Sequence, residues 1–151
     1  MVRDLPLGEI TLRRYERPYD FNERELVKKV CLSLGLLQPG DSRDAMVDIL
    51  LALEDGRKEK RELSSFEIRD KVKELRKKHS LEERGVAESN IRRQLKRLRD
   101  LMIVDKKNNM YKLSEFEPLS VIFEEKIEKF LVPQTIDRIK EYLNKFEGGK
   151  E

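Results

Sequence analysis

Tryptophan is absent from this chain of 151 residues, and cysteine and histidine occur once each, as Cys31 and His79. One thiol cannot close an intrachain disulfide, and one imidazole beside one thiol cannot furnish a Cys/His metal cage. Cys31 falls inside an apolar helical pattern, which predicts a buried, structural thiol. No apolar run approaches the roughly eighteen residues of a membrane-spanning helix. The opening "MVRDLPLGEITLRRYERPYDF" lacks the apolar centre of a secretory signal. These absences lead to the expectation of a cytoplasmic protein without a membrane segment. No glycine-rich phosphate loop and no nucleophile motif is present, so neither an enzyme nor a bound cofactor is expected.

Charge is what the chain has in abundance, with 42% Asp, Glu, Lys and Arg. The formal net charge of +3 hides an uneven distribution. Residues 57–113 carry 19 basic and 10 acidic side chains, while residues 1–56 carry 8 and 11, and residues 114–151 carry 6 and 9. A polyanion would be drawn to the middle third and discouraged elsewhere.

The pattern divides the chain into an arm over 1–21, a helical extension over 22–40, a central domain over 41–115, a C-terminal helical extension over 116–147 and a disordered tail over 148–151. The arm holds Pro6 and Pro18 and one short stretch, "EITLRRY", compatible with a strand. Asn22 followed by Glu25 has the spacing of a capping box, and Leu26, Val27, Val30, Leu34 and Leu37 then predict the inward face of a helix ending near "QPGD". "SRDAMVDILLALEDG" reads as a mostly buried central helix that stops at Gly56. Glu62 and Leu63 suit a short strand, and Ser64 with Glu67 repeats the capping-box spacing. In the helix that follows, Phe66, Ile68, Val72 and Leu75 are expected inside, with Arg69, Lys73, Arg76 and Lys77 in solvent. Pro118 and Pro133 each suit a first helical position, predicting two amphipathic C-terminal helices.

The stretch "VAESNIRRQLKRLRDLMIV" is both basic and oily. Ile91, Leu95, Leu98 and Met102 recur at intervals of four, three and four, so they form one helical stripe. Ser89, Arg93, Lys96, Arg97 and Asp100 lie roughly opposite, with Asn90 and Arg92 flanking them. Guanidinium, ammonium, hydroxyl and amide groups pair with phosphates and base edges in a DNA major groove. Standing alone, such a face is most often a solvated surface. Next in sequence comes "DKKNNMYKL", whose two asparagines tolerate positive φ and mark a hairpin.

The order of helix, strand, helix, basic helix and hairpin over Ser42 to Ser114 resembles the winged helix-turn-helix family, and "IRRQLKRLRDLMIVDKKNNMYKLS" is similar to that family's recognition helix and wing. The resemblance implies a mainly α (α+β) fold, a winged helix-turn-helix with an N-terminal helical extension and two C-terminal helices. It implies contacts to double-stranded DNA from Ser89, Asn90, Arg92, Arg93, Lys96 and Arg97, and from Lys106, Lys107, Asn108 and Asn109 in the wing. The function implied is that of the family's small prokaryotic and archaeal transcriptional regulators. A homodimer through the C-terminal helices is expected, because two related copies can read a two-fold site. The alternative is a winged-helix module that docks on a protein partner within a larger nucleic-acid-processing or degradation assembly. Two departures bear on that choice: Met102 stands where a glycine often ends the recognition helix, and "KKHSLEERGVAES" is a long turn.

Other residues have plainer readings. Ser64 and Ser65 can bind a phosphate at a helix N-terminus, but capping is the commoner use. Arg99 suits the helix dipole. His79, the pair Glu82 and Glu83, and the pair Glu124 and Glu125 read as surface groups. Tyr15, Tyr19 and Phe21 either stack on bases or, more commonly, pack the arm onto the domain or a partner.

Overall fold

The computed structural model describes residues 4–148; most of the expected tail lies outside them. Its elements are α1 (Glu23–Ser33), α2 (Ala45–Glu59), β1 (Leu63–Ser64), α3 (Ser65–Lys78), α4 (Glu88–Asp100), β2 (Val104–Lys107) and β3 (Met110–Leu113). A 3₁₀ turn at Ser114–Phe116 leads to α5 (Leu119–Ile122), a π-helical segment at Phe123–Leu131, and α6 (Val132–Phe146). The chain is thus mainly helical with one small antiparallel sheet, in strand order β1-β3-β2. Among the described residues no helix is long and apolar enough to cross a membrane.

Local sequence explains most of the boundaries. Asn22 and Ser64 each accept a hydrogen bond from the backbone N–H three residues on, and Glu25 and Glu67 return the bond, completing both capping boxes. Asn108 and Asn109 adopt φ of 53° and 61°, the left-handed pair of a two-residue hairpin turn that matches strand twist. Lys107 therefore faces Met110 and Val104 faces Leu113 across the hairpin. β1 adds to the other side of β3, pairing Leu63 with Tyr111.

One core holds the molecule together, and α2 runs through its centre with Met46, Val47, Ile49, Leu50, Ala52 and Leu53 buried. Cys31, Leu36 and Leu37 from the α1 region, and Ile122 and Ile127 from the C-terminal segment, join the same cluster. Burial pushes the Cys31 thiol up to about 12, so it is a packing group, not a nucleophile.

Several expectations need correction. In the described arm no strand forms; the arm is held instead by Arg13, whose N–H donates to the Ser33 carbonyl at 2.8 Å and whose guanidinium caps the Leu32 and Leu37 carbonyls at 2.7 and 3.0 Å. On α1 it is Cys31 that faces inward, while Leu26 and Val30 stay partly exposed. α2 does not stop at Gly56 but continues to Glu59, ending on Lys60 in the left-handed region at φ 53°. Gly56 is needed for close approach, because a Cβ there would lie 2.8 Å from the Arg61 carbonyl oxygen. On α3, Phe66 is exposed and Arg76 is buried, the reverse of a purely apolar reading. For Arg76 the cause is an ion cluster, since it meets Asp48 of α2 and Asp44, the N-cap residue just before that helix.

The two expected C-terminal helices are one continuous rod. Ile122, Leu131 and Val132 all keep right-handed helical angles, so α6, with Pro133 in its first turn as expected, follows the preceding turns without a break. The π-helical turns before it explain why. Val132 donates to the Ile127 carbonyl, five residues back, so the α ladder is already interrupted where proline would break it. Thr135 Oγ1 donates to the Leu131 carbonyl at 2.9 Å and adds a partner beside the proline.

Candidate nucleic-acid interface

α4 owes its position to its own stripe: Ile91, Leu95 and Leu98 are fully buried. The helix is also fastened at both ends. At its start, Glu88 accepts Ser65 Oγ at 2.5 Å and Arg92 Nε at 2.9 Å. At its end, Ile103 N–H reaches the Leu98 carbonyl and Met102 N–H the Arg99 carbonyl, at 2.9 and 2.8 Å. This is a Schellman closure, with Met102 in the left-handed position at φ 62°. The chain therefore turns directly into β2 although glycine is missing there.

Of the residues expected to read DNA, Ser89, Arg92, Arg93 and Lys96 are exposed. Arg92, Arg93 and Lys96 each meet a neighbour on the helix, Arg92 through Glu88. Arg93 Nη1 donates to Asn90 Oδ1 at 3.1 Å, and Lys96 Nζ lies 3.2 Å from Asp100. Such exposed pairs are weak, so a phosphate can displace them. Asn90 and Arg97 have internal duties. Asn90 Nδ2 donates to the Gly85 carbonyl at 2.7 Å. Arg97 donates to the Gly35 carbonyl and to Gln94 Oε1, both at 2.9 Å, which ties α4 to the turn after α1.

The hairpin residues Lys106, Lys107, Asn108 and Asn109 are all exposed, and Lys106 lies 5.7 Å above the Tyr111 ring. Helix α4 and the hairpin meet. A shallow cleft of about 410 Å³ is lined by Lys96 and Arg99 of α4, Lys106 of β2 and Lys126 of the C-terminal rod, with Asp100 and Asp105 between them. A second cleft, of about 440 Å³, brings Ser89, Asn90, Arg93 and Arg97 beside Arg43. Lys107 and the asparagines stand beyond both, at the hairpin tip.

Three groups near this face were not anticipated as contacts. Phe66, 52% exposed at the start of α3, is flanked by the guanidinium groups of Arg69 and Arg92 at 5.4 and 6.0 Å from its ring. Arg43 and Lys126 come from segments whose local charge gave no signal. Ser64 and Ser65, by contrast, are occupied: Ser64 caps α3 and Ser65 holds Glu88. His79 is the exposed C-cap of α3.

No family model, curated protein or solved structure matches the chain.

Proposed function

We propose that this chain is a winged helix-turn-helix protein that binds double-stranded DNA sequence-selectively, as a homodimeric transcriptional regulator. The observation that carries the reading is α4. Its Ile91, Leu95 and Leu98 are fully buried while Arg92, Arg93, Lys96 and Ser89 stand exposed. Seated in the major groove, that face offers forked donors to guanine edges and phosphates. Lys106, in the same cleft as Lys96, and Lys107 at the turn would neutralise backbone phosphates beside the groove. Arg97 and Asn90 act here as braces for α4, and Arg43 takes a place among the phosphate contacts.

Titration of labelled duplex at several salt concentrations tests the proposal. With about five to eight phosphates neutralised, log K should fall with log salt at a slope of roughly −4 to −7. Absence of binding in dilute salt, or a flat salt response, would remove DNA as the partner.

A further inference from the structure

We propose that the groove between the arm, α1 and the C-terminal rod binds a small apolar anion, a carboxylate or sulfonate with a hydrocarbon body. The site stands on its own, independent of the DNA reading. Its cause lies in the phase of α1. Cys31 takes the inward position, which leaves Leu26 and Val30 facing away from the core as one wall of the groove. The rod supplies the opposite wall with Leu119, Phe123 and Ile127, and Leu34 and Ile103 also line the space. The arm closes a third side with Tyr15 and Phe21.

The groove, open on one side, holds about 660 Å³, within the roughly 300–1,000 Å³ of small-molecule sites. An apolar space lined from three directions, with few polar groups at the edge, is the usual form of such a site. The arm wall is fixed in place, because Arg13 is bonded to the Ser33, Leu32 and Leu37 carbonyls.

Charge selects the ligand. Arg13, Arg14, Lys29 and Glu16 are the ionic groups that line the groove. Lys29 is taken by Glu16, with Nζ to Oε1 at 2.6 Å, and lies 4.7 Å above the Tyr15 ring. Arg13 is taken by carbonyls. Arg14 is exposed and has no ion pair among the described residues. The lining therefore keeps net positive charge, because carbonyls hold Arg13 without neutralising it. Among the described residues Arg14 is the cation free to meet a ligand at the rim of the apolar groove, which suits a ligand with one acidic head and an apolar body.

The test uses the full chain with decanoate as probe, below its micelle concentration, and decanol as its neutral counterpart. Calorimetry should give saturable binding of one decanoate per chain, and decanoate should displace the fluorescent sulfonate 1-anilinonaphthalene-8-sulfonate. Arg14→Ala should weaken decanoate about fivefold, the order expected for one exposed charge pair, and leave decanol unchanged. Val30→Glu, and separately Phe123→Ser on the facing wall, should abolish binding of both; two variants on different walls guard against a failure to fold in either one. Absence of saturable binding would overturn the proposal, as would wild-type affinity in the wall variants or equal weakening of decanol by Arg14→Ala. So would a chain that self-associates through this groove, shown by Val30→Glu turning a dimer into a monomer.

Discussion

Arg76 Nη1 donates to Asp48 Oδ2 at 2.8 Å, with the two side chains 3% and 0% exposed. The same guanidinium reaches Asp44 at 3.0 Å and donates through Nε to the Glu82 carbonyl. Arg24 of α1 closes the cluster on Asp48. Two arginines and two aspartates thereby join α1, α2, α3 and the loop that leads to α4. Removing one partner from a buried cluster strands the opposite charge, at a cost of about 3–5 kcal/mol. Arg76→Met should therefore lower the stability measured by urea denaturation by about that amount. A loss under about 1 kcal/mol, the scale of an exposed pair, would show that water reaches the cluster.

The cluster also sets a response to acid. Burial alone would raise the Asp44 carboxyl, but the hydrogen bond and charge of Arg76, with the charge of Arg24, outweigh it and hold it below its ordinary range. A carboxyl lowered by folding stabilises the fold above its unfolded value, near 3.9, and the contribution is lost as pH falls through the folded value. The bond from the Ser64 N–H, and then Arg61, lower Glu67 in the same sense. Stability should thus decline below about pH 4. Asp44→Asn, followed by denaturation from neutral to acid pH, should make that decline shallower; an unchanged acid slope would assign it elsewhere.

The sequence made features of short range legible. Both capping boxes, the Asn108–Asn109 hairpin and the Ile91, Leu95 and Leu98 stripe depend on residues within a few positions of each other. What it concealed depends on distant partners. Arg76 reads as solvent-facing because Asp48 and Asp44 lie 28 and 32 residues away, and Arg97 reads as free because its Gly35 acceptor is 62 residues away. Gly56 looks like a helix stop, though its role is to admit the Arg61 backbone. Pro133 does mark the first turn of α6, but the π turns that join it to the helix before it have no sequence signature comparable to a cap. In the candidate interface, exposed α4 positions follow from periodicity, whereas Arg43 and Lys126 enter through tertiary placement.

Met102 gives a test of local strain. A non-glycine residue in the left-handed region costs roughly 1–2 kcal/mol, and the Schellman closure fixes Met102 there at φ 62°. Met102→Gly should raise stability by about 1 kcal/mol, less whatever its half-buried side chain contributes to packing. Chemical denaturation measures it. A destabilised variant would mean that packing outweighs the backbone cost.

α6 carries its apolar groups outward. Ile136, Ile139, Leu143 and Phe146 are 45%, 52%, 50% and 85% exposed, and with Val132 they recur at intervals of four and three, the spacing of a two-stranded coiled coil. This end of the rod has no buried residue, and an amphipathic stripe needs a surface to cover it, so a second copy is the proposed cover. Micromolar association corresponds to about 8 kcal/mol, which roughly 1 kcal/mol from each stripe residue on both chains can approach. Light scattering should give a dimer for the intact chain and a monomer for Ile139→Asp combined with Leu143→Asp. A monomeric wild type, or a variant that remains dimeric, would move the seam off α6.

Base reading and simple attraction separate on two side chains. Arg93 stands on the open face of α4, held only by Asn90 at 3.1 Å, and its guanidinium can present two parallel donors to a guanine edge. Arg93→Ala should cost about 1–3 kcal/mol on the preferred site while changing random-sequence binding much less. Lys107 is an exposed point charge beside the hairpin turn, paired in register with Met110. Lys107→Ala should weaken both kinds of DNA alike and make the salt slope shallower by about one unit. Both positions are exposed, so circular dichroism should show both variants folded. If Arg93→Ala leaves the ratio of specific to random affinity untouched, α4 acts as a positive surface and reads no sequence.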